Sequence, residues 1–519
     1  MYYASVPSKQ KMNLENYRDK VLGCWTGKNI GGTIGAPFEG QRDMNNATFY
    51  TQKLDGKPAP NDDLDLQLIW LLAAEEKGLF HLNERVLGEY WLSHITGPWN
   101  EYGVCKANLR NGLFPPLSGS CNNDQWKYSN GAWIRSEIWA CLFPGSPDEA
   151  AHFAYYDSCC DHCGEGIYAE IFTATMESAA FVVNDIRQII NIGLSRIPAD
   201  CRVARSVKLA CECYDGTREF KDAREALVRD SADLGWFQAP ANLGFVILGL
   251  LYGKGDFGHS VCLANNCGDD TDCTAGTVGA IMGIILGRSG IPDKWTAPIG
   301  ETIQTCSIDT YGRNNLTPLP ATLDELTDRV ISLAISAQRE NTTLLQIGDV
   351  PAAISPDYLA GLLNAEPVIT RIWNKSPYEL AFDLPFGKIS FDYENGPYIT
   401  SGEPKRITIK ISQVRFIEKL ISVKLRLPEG WSCQGTEEVI LNAKHECITS
   451  MDVTLIPGVF SGAYYYLEVE IRLVDRNFPV VINLPLQRRD CLQFFSRQVD
   501  YEFYDAMNRS KSRIGTHLR

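Results

Sequence analysis

The sequence predicts a multidomain fold, an all-α domain followed by a small all-β sandwich-like domain, and three observations carry that prediction. From about Leu14 to about Glu340 apolar residues recur at helical spacing, interrupted by Gly, Pro and Asn clusters that end each helix early. After about Thr342 the period becomes two: Ile407, Ile409 and Ile411 alternate with Arg406, Thr408 and Lys410, and Leu467, Val469, Ile471 and Leu473 alternate with Glu468, Glu470 and Arg472. Cysteine usage shifts at the same place, with fourteen of seventeen before it and only Cys433, Cys447 and Cys491 after it. These readings place a helical domain at 14–345, a linker at 346–368 and a β domain at 369–519.

Taken in order, the helical half includes segments at Asp148 to Tyr156, Gly166 to Asn184 and Leu323 to Glu340. Thr322 opens the last of these with Glu325 three residues on, a capping-box spacing. In the second half, Ile421 to Leu427, Val439 to Leu441 and Val480 to Leu486 add strands, and Pro428-Glu429-Gly430 reads as a turn. The basic, polar stretch Arg509 to Arg519 reads as a frayed terminus.

Composition bounds the function. A content of 45% hydrophobic and 22% charged residues is that of an ordinary globular protein. The formal net charge of -14 repels phosphate backbones and anionic lipid, which argues against nucleic-acid or membrane-surface binding as the main activity. The start shows no secretory pattern, and the longest apolar run, near Gly276 to Leu286, is too short to span a bilayer. With no export signal expected, seventeen cysteines read as reduced thiols in a cytoplasmic protein without disulfides. The oligomeric state is not legible.

Two acidic motifs carry the chemistry. Asn61-Asp62-Asp63 precedes the nearly all-apolar stretch Leu64 to Ala74, so its acids stand at a buried helix start. Asp269-Asp270-Thr271-Asp272-Cys273-Thr274 likewise leads into a helix, one spaced by Gly276, Gly279, Ala280 and Gly283. Either motif alone is accounted for by helix capping. Together, desolvated acids this dense repel one another, and a divalent cation is the simplest compensation. Oxygen ligands favour Mg²⁺, Mn²⁺ or Ca²⁺ over zinc.

Four ordered blocks resemble the ADP-ribosylglycohydrolase family: Gly23 to Glu39, Asn61-Asp62-Asp63, Asn130-Gly131-Ala132-Trp133-Ile134-Arg135 with Asp161-His162, and Asp270-Thr271-Asp272-Cys273. The resemblance implies an all-α domain holding two divalent cations, Mg²⁺ or Mn²⁺, and a hydrolase acting on the glycosidic bond of an ADP-ribosyl or related ribosyl conjugate. By carry-over the metal ligands are Asp62, Asp63, Asp270 and Asp272, with Asn61 before and Cys273 or Thr274 after completing the shell. Glu39 is similar to a mobile acid–base residue of the family, and Glu39, Asp62 and Asp270 form the catalytic set. Asn130, Gly131 and His162 fall on the substrate side. Cys273 stands where a Thr is usual, Asn61 where another Thr is usual, and Asp161 where a Ser or Thr is usual. These departures leave open a nucleoside or small-glycoside hydrolase, or a non-catalytic ribosyl-binding protein.

Glu165, at the next helix start, could face the same cleft or cap the helix. Trp99 and Tyr102, with Trp126 and Trp133, could stack on a base or sugar or pack in a core. Cys160-Asp161-His162-Cys163 contains a Cys-x-x-Cys but lacks the second ligand pair a zinc site needs. The β domain carries no chemical motif.

Overall fold

The computed structural model describes residues 10–308, 318–341, 344–414, 417–445 and 447–491, and the basic stretch at Arg509 to Arg519 lies outside them. The chain forms two compact units. One gathers the described residues within Met1–Gly97 and Gln125–Asn374, the other those within Pro98–Asp124 and Lys375–Arg519.

In the first unit the helices used below are α1 (Leu14–Gly35), α2 (Asp62–Lys77), α4 (Glu137–Leu142), α5 (Pro147–Ser158), α6 (Glu165–Ala180), α7 (Ala239–Tyr252), α8 (Thr271–Leu286) and α9 (Leu323–Glu340); α3 (Asn100–Arg110) belongs to the second. Thr322 caps α9 as its spacing predicts, its side chain accepting from Glu325 N. Two short parallel strands, β1 (Lys11–Asn13) and β2 (Gln346–Gly348), join the two ends of this unit.

The centre of the helical unit is the antiparallel pair α1 and α8. Gly23, Gly27 and Gly31 face Gly283, Gly279 and Ala275 in turn. A Cβ on Gly27 would stand 1.9 Å from the carbonyl oxygen of Gly279, and one on Gly279 would stand 2.1 Å from that of Gly27. Only residues without a side chain allow backbones this close. The small residues of α8 therefore serve α1, a partner that the spacing alone does not name.

The second unit is a sandwich of two five-stranded sheets. Its strands are β3 (Glu379–Leu384), β4 (Gly387–Asp392), β5 (Tyr398–Ile399), β6 (Lys405–Ser412), β7 (Lys419–Arg426), β8 (Ser432–Gln434), β9 (Glu438–Ala443), β10 (Thr449–Ile456), β11 (Tyr464–Leu473) and β12 (Val480–Arg488). One sheet runs β3-β4-β6-β10-β8 and the other β5-β12-β11-β7-β9, antiparallel except where β12 meets β5. The alternation read from sequence sets the faces. Ile407, Ile409 and Ile411 of β6 and Val469 and Ile471 of β11 all point into one core.

Leu113, Leu117 and Cys121 are part of that same core. The chain thus leaves the helical unit at Pro98 and returns at Gln125, so no single cut near residue 345 divides the molecule. The reason is apolar burial: a segment short on helix-packing surface finds its hydrophobic partners in the sandwich.

Candidate metal centre

The pairing of α1 with α8 positions the site. Gly35 ends α1 against the first turn of α8, where a Cβ would meet Asp272 Cα at 2.3 Å. Thr271 Oγ1 donates to the Gly35 carbonyl at 2.8 Å. Beyond it, Gly40 N donates to Asp269 O at 2.9 Å and Asp269 N to Gln41 O at 2.8 Å. These bonds lay the loop carrying Glu39 along the loop carrying Asp270. Gly35 and Gly40 thus have a structural reason, close approach at one and a positive φ of 78° at the other.

Asp269 itself adopts φ 60°, a backbone region that non-glycine residues rarely occupy, and its carboxylate pairs with Arg42 at 3.1 Å. The strain turns the chain so that Asp270 and Asp272 face inward.

Two triads result. Glu39, Asp270 and Asp272 offer carboxylate oxygens all within 4.8 Å of one another, and Asp63, Asp272 and Cys273 meet the same limit. Asp272 belongs to both. Glu39 is exposed, whereas Asp63, Asp270 and Cys273 are buried.

The electrostatics follow from this crowding. Burial, then the Glu39 charge, pushes the Asp272 carboxyl up to about 7. Burial, then Asp272 and Glu39, raises Asp270 well above the usual carboxyl range. Asp270 Oδ1 and Asp272 Oδ1 are buried with no hydrogen-bond donor. Orphaned oxygens on adjacent carboxyls are the chemistry a hard divalent cation satisfies, so the residues present fit such an ion.

Asp270 is aimed by its neighbours. Trp133 Nε1, which can only donate, gives its hydrogen to Asn130 Oδ1 at 3.0 Å. That orients the Asn130 amide so that Nδ2 donates to Asp270 Oδ2 at 2.7 Å. Asn242, on α7, accepts from Asp270 N at 3.2 Å. Trp133 is fully buried and packs in the core, where it fixes Asn130.

The remaining sequence candidates are placed as follows. Asn61 caps α2, its side chain accepting from Asp63 N at 2.7 Å. Asp62, half-buried in the first turn, belongs to neither triad, although its charge adds to the rise at Asp63, Asp65 and Asp272. Cys273 places Sγ 3.6 Å from Asp63 Oδ1 and donates to it. The Thr274 hydroxyl donates to the Thr271 carbonyl at 3.3 Å.

On the other side, His162 is fully buried, with Nδ1 2.8 Å from Asp161 Oδ1 and Nε2 3.1 Å from Ser129 Oγ. Arg135 grips Asp161 with two nitrogens at 2.7 and 3.0 Å and donates to the Gly131 carbonyl. The Glu165 carboxylate accepts from Arg202 N and Val203 N at 2.9 and 3.0 Å, so it caps the start of the helix Arg202–Asp215. Trp99 and Tyr102 lie in the second unit, their rings tilted together at 6.2 Å, with Tyr102 buried.

Sequence reasoning missed Lys28 and Glu137. Lys28 Nζ, 1% exposed, lies 3.0 Å from Asp63 Oδ2 and 2.9 Å from Glu137 Oε1. Gln67 holds the other Glu137 oxygen at 2.8 Å. A lone lysine in the small-residue run Gly23 to Gly35 was the available signal, since a charge on a buried helix face needs a counter-charge. Asp65 was also missed: it accepts from Cys306 N and Ser307 N at 2.7 and 2.6 Å and pins that loop to α2.

The helical unit thus sets a carboxylate cluster that could hold a metal ion between the N-termini of two buried helices. A model of the ADP-ribosylglycohydrolase family matches residues 13–338, and the chain belongs to that family. It is a glycohydrolase family that generally uses divalent metals and acts on small ADP-ribosylated substrates. No curated protein matches the chain. Among the described residues no helix is long and apolar enough to cross a membrane.

Proposed function

We propose that this chain is a hydrolase dependent on Mg²⁺ or Mn²⁺ that cleaves the glycosidic bond of an ADP-ribosyl or related ribosyl conjugate. The observation that carries this reading is the meeting of Glu39, Asp270 and Asp272 within 4.8 Å, with buried oxygens on both aspartates lacking a donor. A divalent ion held by these three would supply charge to fix ribose hydroxyls and to acidify a water.

The chain's own groups divide the remaining work. Glu39 is the solvent-facing carboxylate, suited to take a proton from the attacking water or return one to the leaving group as an oxocarbenium-like state forms. Asp270 is held in one orientation by the Trp133–Asn130 relay, so its carboxylate does not have to reorganise during the reaction. The buried Arg135–Asp161–His162 network stiffens the wall that carries Asn130. The seventeen free thiols support a reducing, cytoplasmic setting.

The test is a metal-supplemented screen read by mass spectrometry, using ADP-ribosylated arginine and serine peptides, nucleosides and aryl glycosides. Divalent-dependent release of ADP-ribose or a ribosyl unit is expected, reduced by about 100-fold or more in Asp270→Asn. Release of free base or sugar with the conjugates untouched overturns the substrate class. Tight ADP-ribose binding without any cleavage overturns the enzyme.

A further inference from the structure

The two triads are not equivalent, and Lys28 is the reason. We propose that this chain binds one divalent ion, at Glu39, Asp270 and Asp272, and that the Lys28 ammonium serves as a permanent internal cation for the half formed by Asp63, Asp272 and Cys273. The inference rests on the metal reading above and departs from the two ions that the family resemblance implies.

Lys28 Nζ is held on three sides. An ammonium carries three hydrogens, and Nζ has three partners: Asp63 Oδ2 at 3.0 Å, Glu137 Oε1 at 2.9 Å and the Ile134 carbonyl at 2.5 Å. A lysine this buried and paired with two buried carboxylates is part of the framework of the site.

Asp63 is correspondingly used up. Lys28 takes Oδ2, and the Cys273 thiol donates to Oδ1 at 3.6 Å. An ion entering this triad would have to displace an ammonium from one oxygen and a thiol from the other. It would then gain a soft sulfur in place of a hard oxygen, a poor exchange for Mg²⁺ or Mn²⁺. In the other triad the neutral Asn130 amide donates to Asp270 Oδ2 at 2.7 Å, and Asp270 Oδ1 and Asp272 Oδ1, like Asp63 Oδ2, are buried without a hydrogen-bond partner; what sets the Asp63 triad apart is the ammonium paired with it at 3.0 Å.

The opposite helix is shaped around the lysine. Gly276 stands outside the row of α8 residues that touches the α1 backbone; a Cβ there would lie 3.3 Å from Lys28 Cδ and 3.6 Å from Asp63 Oδ2. Its missing side chain is the space through which the lysine stem reaches Asp63. Lys28, Gly276 and Cys273 are therefore one arrangement, in which a fixed ammonium and a thiol take up the oxygens that a second ion would need.

The test uses the full chain stripped of metal, reloaded with Mn²⁺ and freed of excess by gel filtration. Elemental analysis is expected to give one Mn²⁺ per chain, and electron paramagnetic resonance the spectrum of an isolated ion without exchange coupling. Two ions per chain with a coupled spectrum overturn this inference and leave the metal reading standing; no bound ion overturns both. Lys28→Met removes the internal cation, so its metal-free form is expected to melt below the wild type and its Mn²⁺ titration to reach two ions per chain. A folded Lys28→Met protein that still holds one ion shows that Lys28 is not what excludes the second, and overturns the assignment. If that variant does not fold, the wild-type ion count decides.

Discussion

At the scale of single residues, the site is governed by what burial does to charge. Asp272 sits in both triads and is raised to about 7 by burial and by Glu39, so in metal-free protein it is a source of repulsion. Asp272→Asn is expected to raise the melting temperature in the presence of a chelator, by a gain of about 1 kcal/mol, and to abolish the further rise that Mn²⁺ gives the wild type. At 100 times its Kd, a ligand that binds only the folded state adds ~2.7 kcal/mol. Differential scanning calorimetry with and without Mn²⁺ measures both effects, and an unchanged Mn²⁺ response would remove Asp272 from the site. Away from the cluster, half-buried Glu149 is raised to about 7, chiefly by burial. The folded protein then holds a proton that an unfolded glutamate releases near pH 4.3. This contribution to stability is complete below that pH and is lost as the pH rises through about 7. Glu149→Gln should therefore be the more stable protein at pH 8 by about 1–2 kcal/mol after solvent screening, with the difference vanishing near pH 4; urea titrations at both pH values test it. The aspartates of the candidate site could be named from their crowding in the sequence, whereas Glu39 is named by resemblance. Asn130 could be named only by resemblance, because its hydrogen bond to Asp270 crosses a long stretch of chain.

At the scale of elements, the α1–α8 contact does most to build the site. Every fourth residue of α1 from Gly23 to Gly35 lies against α8, and the last of them sets the Glu39 loop beside Asp272. Gly27→Ala would drive a methyl into the Gly279 carbonyl, a backbone atom that cannot swing away. It is expected to cost more than the ~1–3 kcal/mol typical of overpacking and to weaken Mn²⁺ binding, because the two loops would part. Chemical denaturation together with metal titration checks this, and a loss below 1 kcal/mol would contradict it. The glycine spacing of both helices is plain in the sequence. Their pairing is not, since spacing says that a helix can be approached closely and leaves its partner unnamed.

At the scale of the whole molecule, the two units exchange sequence. Leu113, Leu117 and Cys121 complete the sandwich core although they lie more than 200 residues before its first strand. A chain ending at Asn374 keeps 98–124 but loses the core those residues fill. Such a truncation is expected to expose them, bind a hydrophobic dye strongly and elute as aggregate in size-exclusion chromatography. A monodisperse product with low dye binding would show that 98–124 does not depend on the strands.

By itself the sequence determined the class of each half and showed the two crowded acidic motifs, because periodicity and unbalanced charge are local properties that survive without knowledge of the fold. It determined the strand faces as well: a period of two puts Ile407, Ile409 and Ile411 on one side in any sheet they join. Only the tertiary structure decided where 98–124 belongs, that Glu39 meets Asp270 and Asp272, and that Lys28 pairs with Asp63. Each of these is a contact between residues far apart in the chain. The physical reason is that a buried charge or apolar side chain requires a partner but does not specify which one, and packing alone makes that choice.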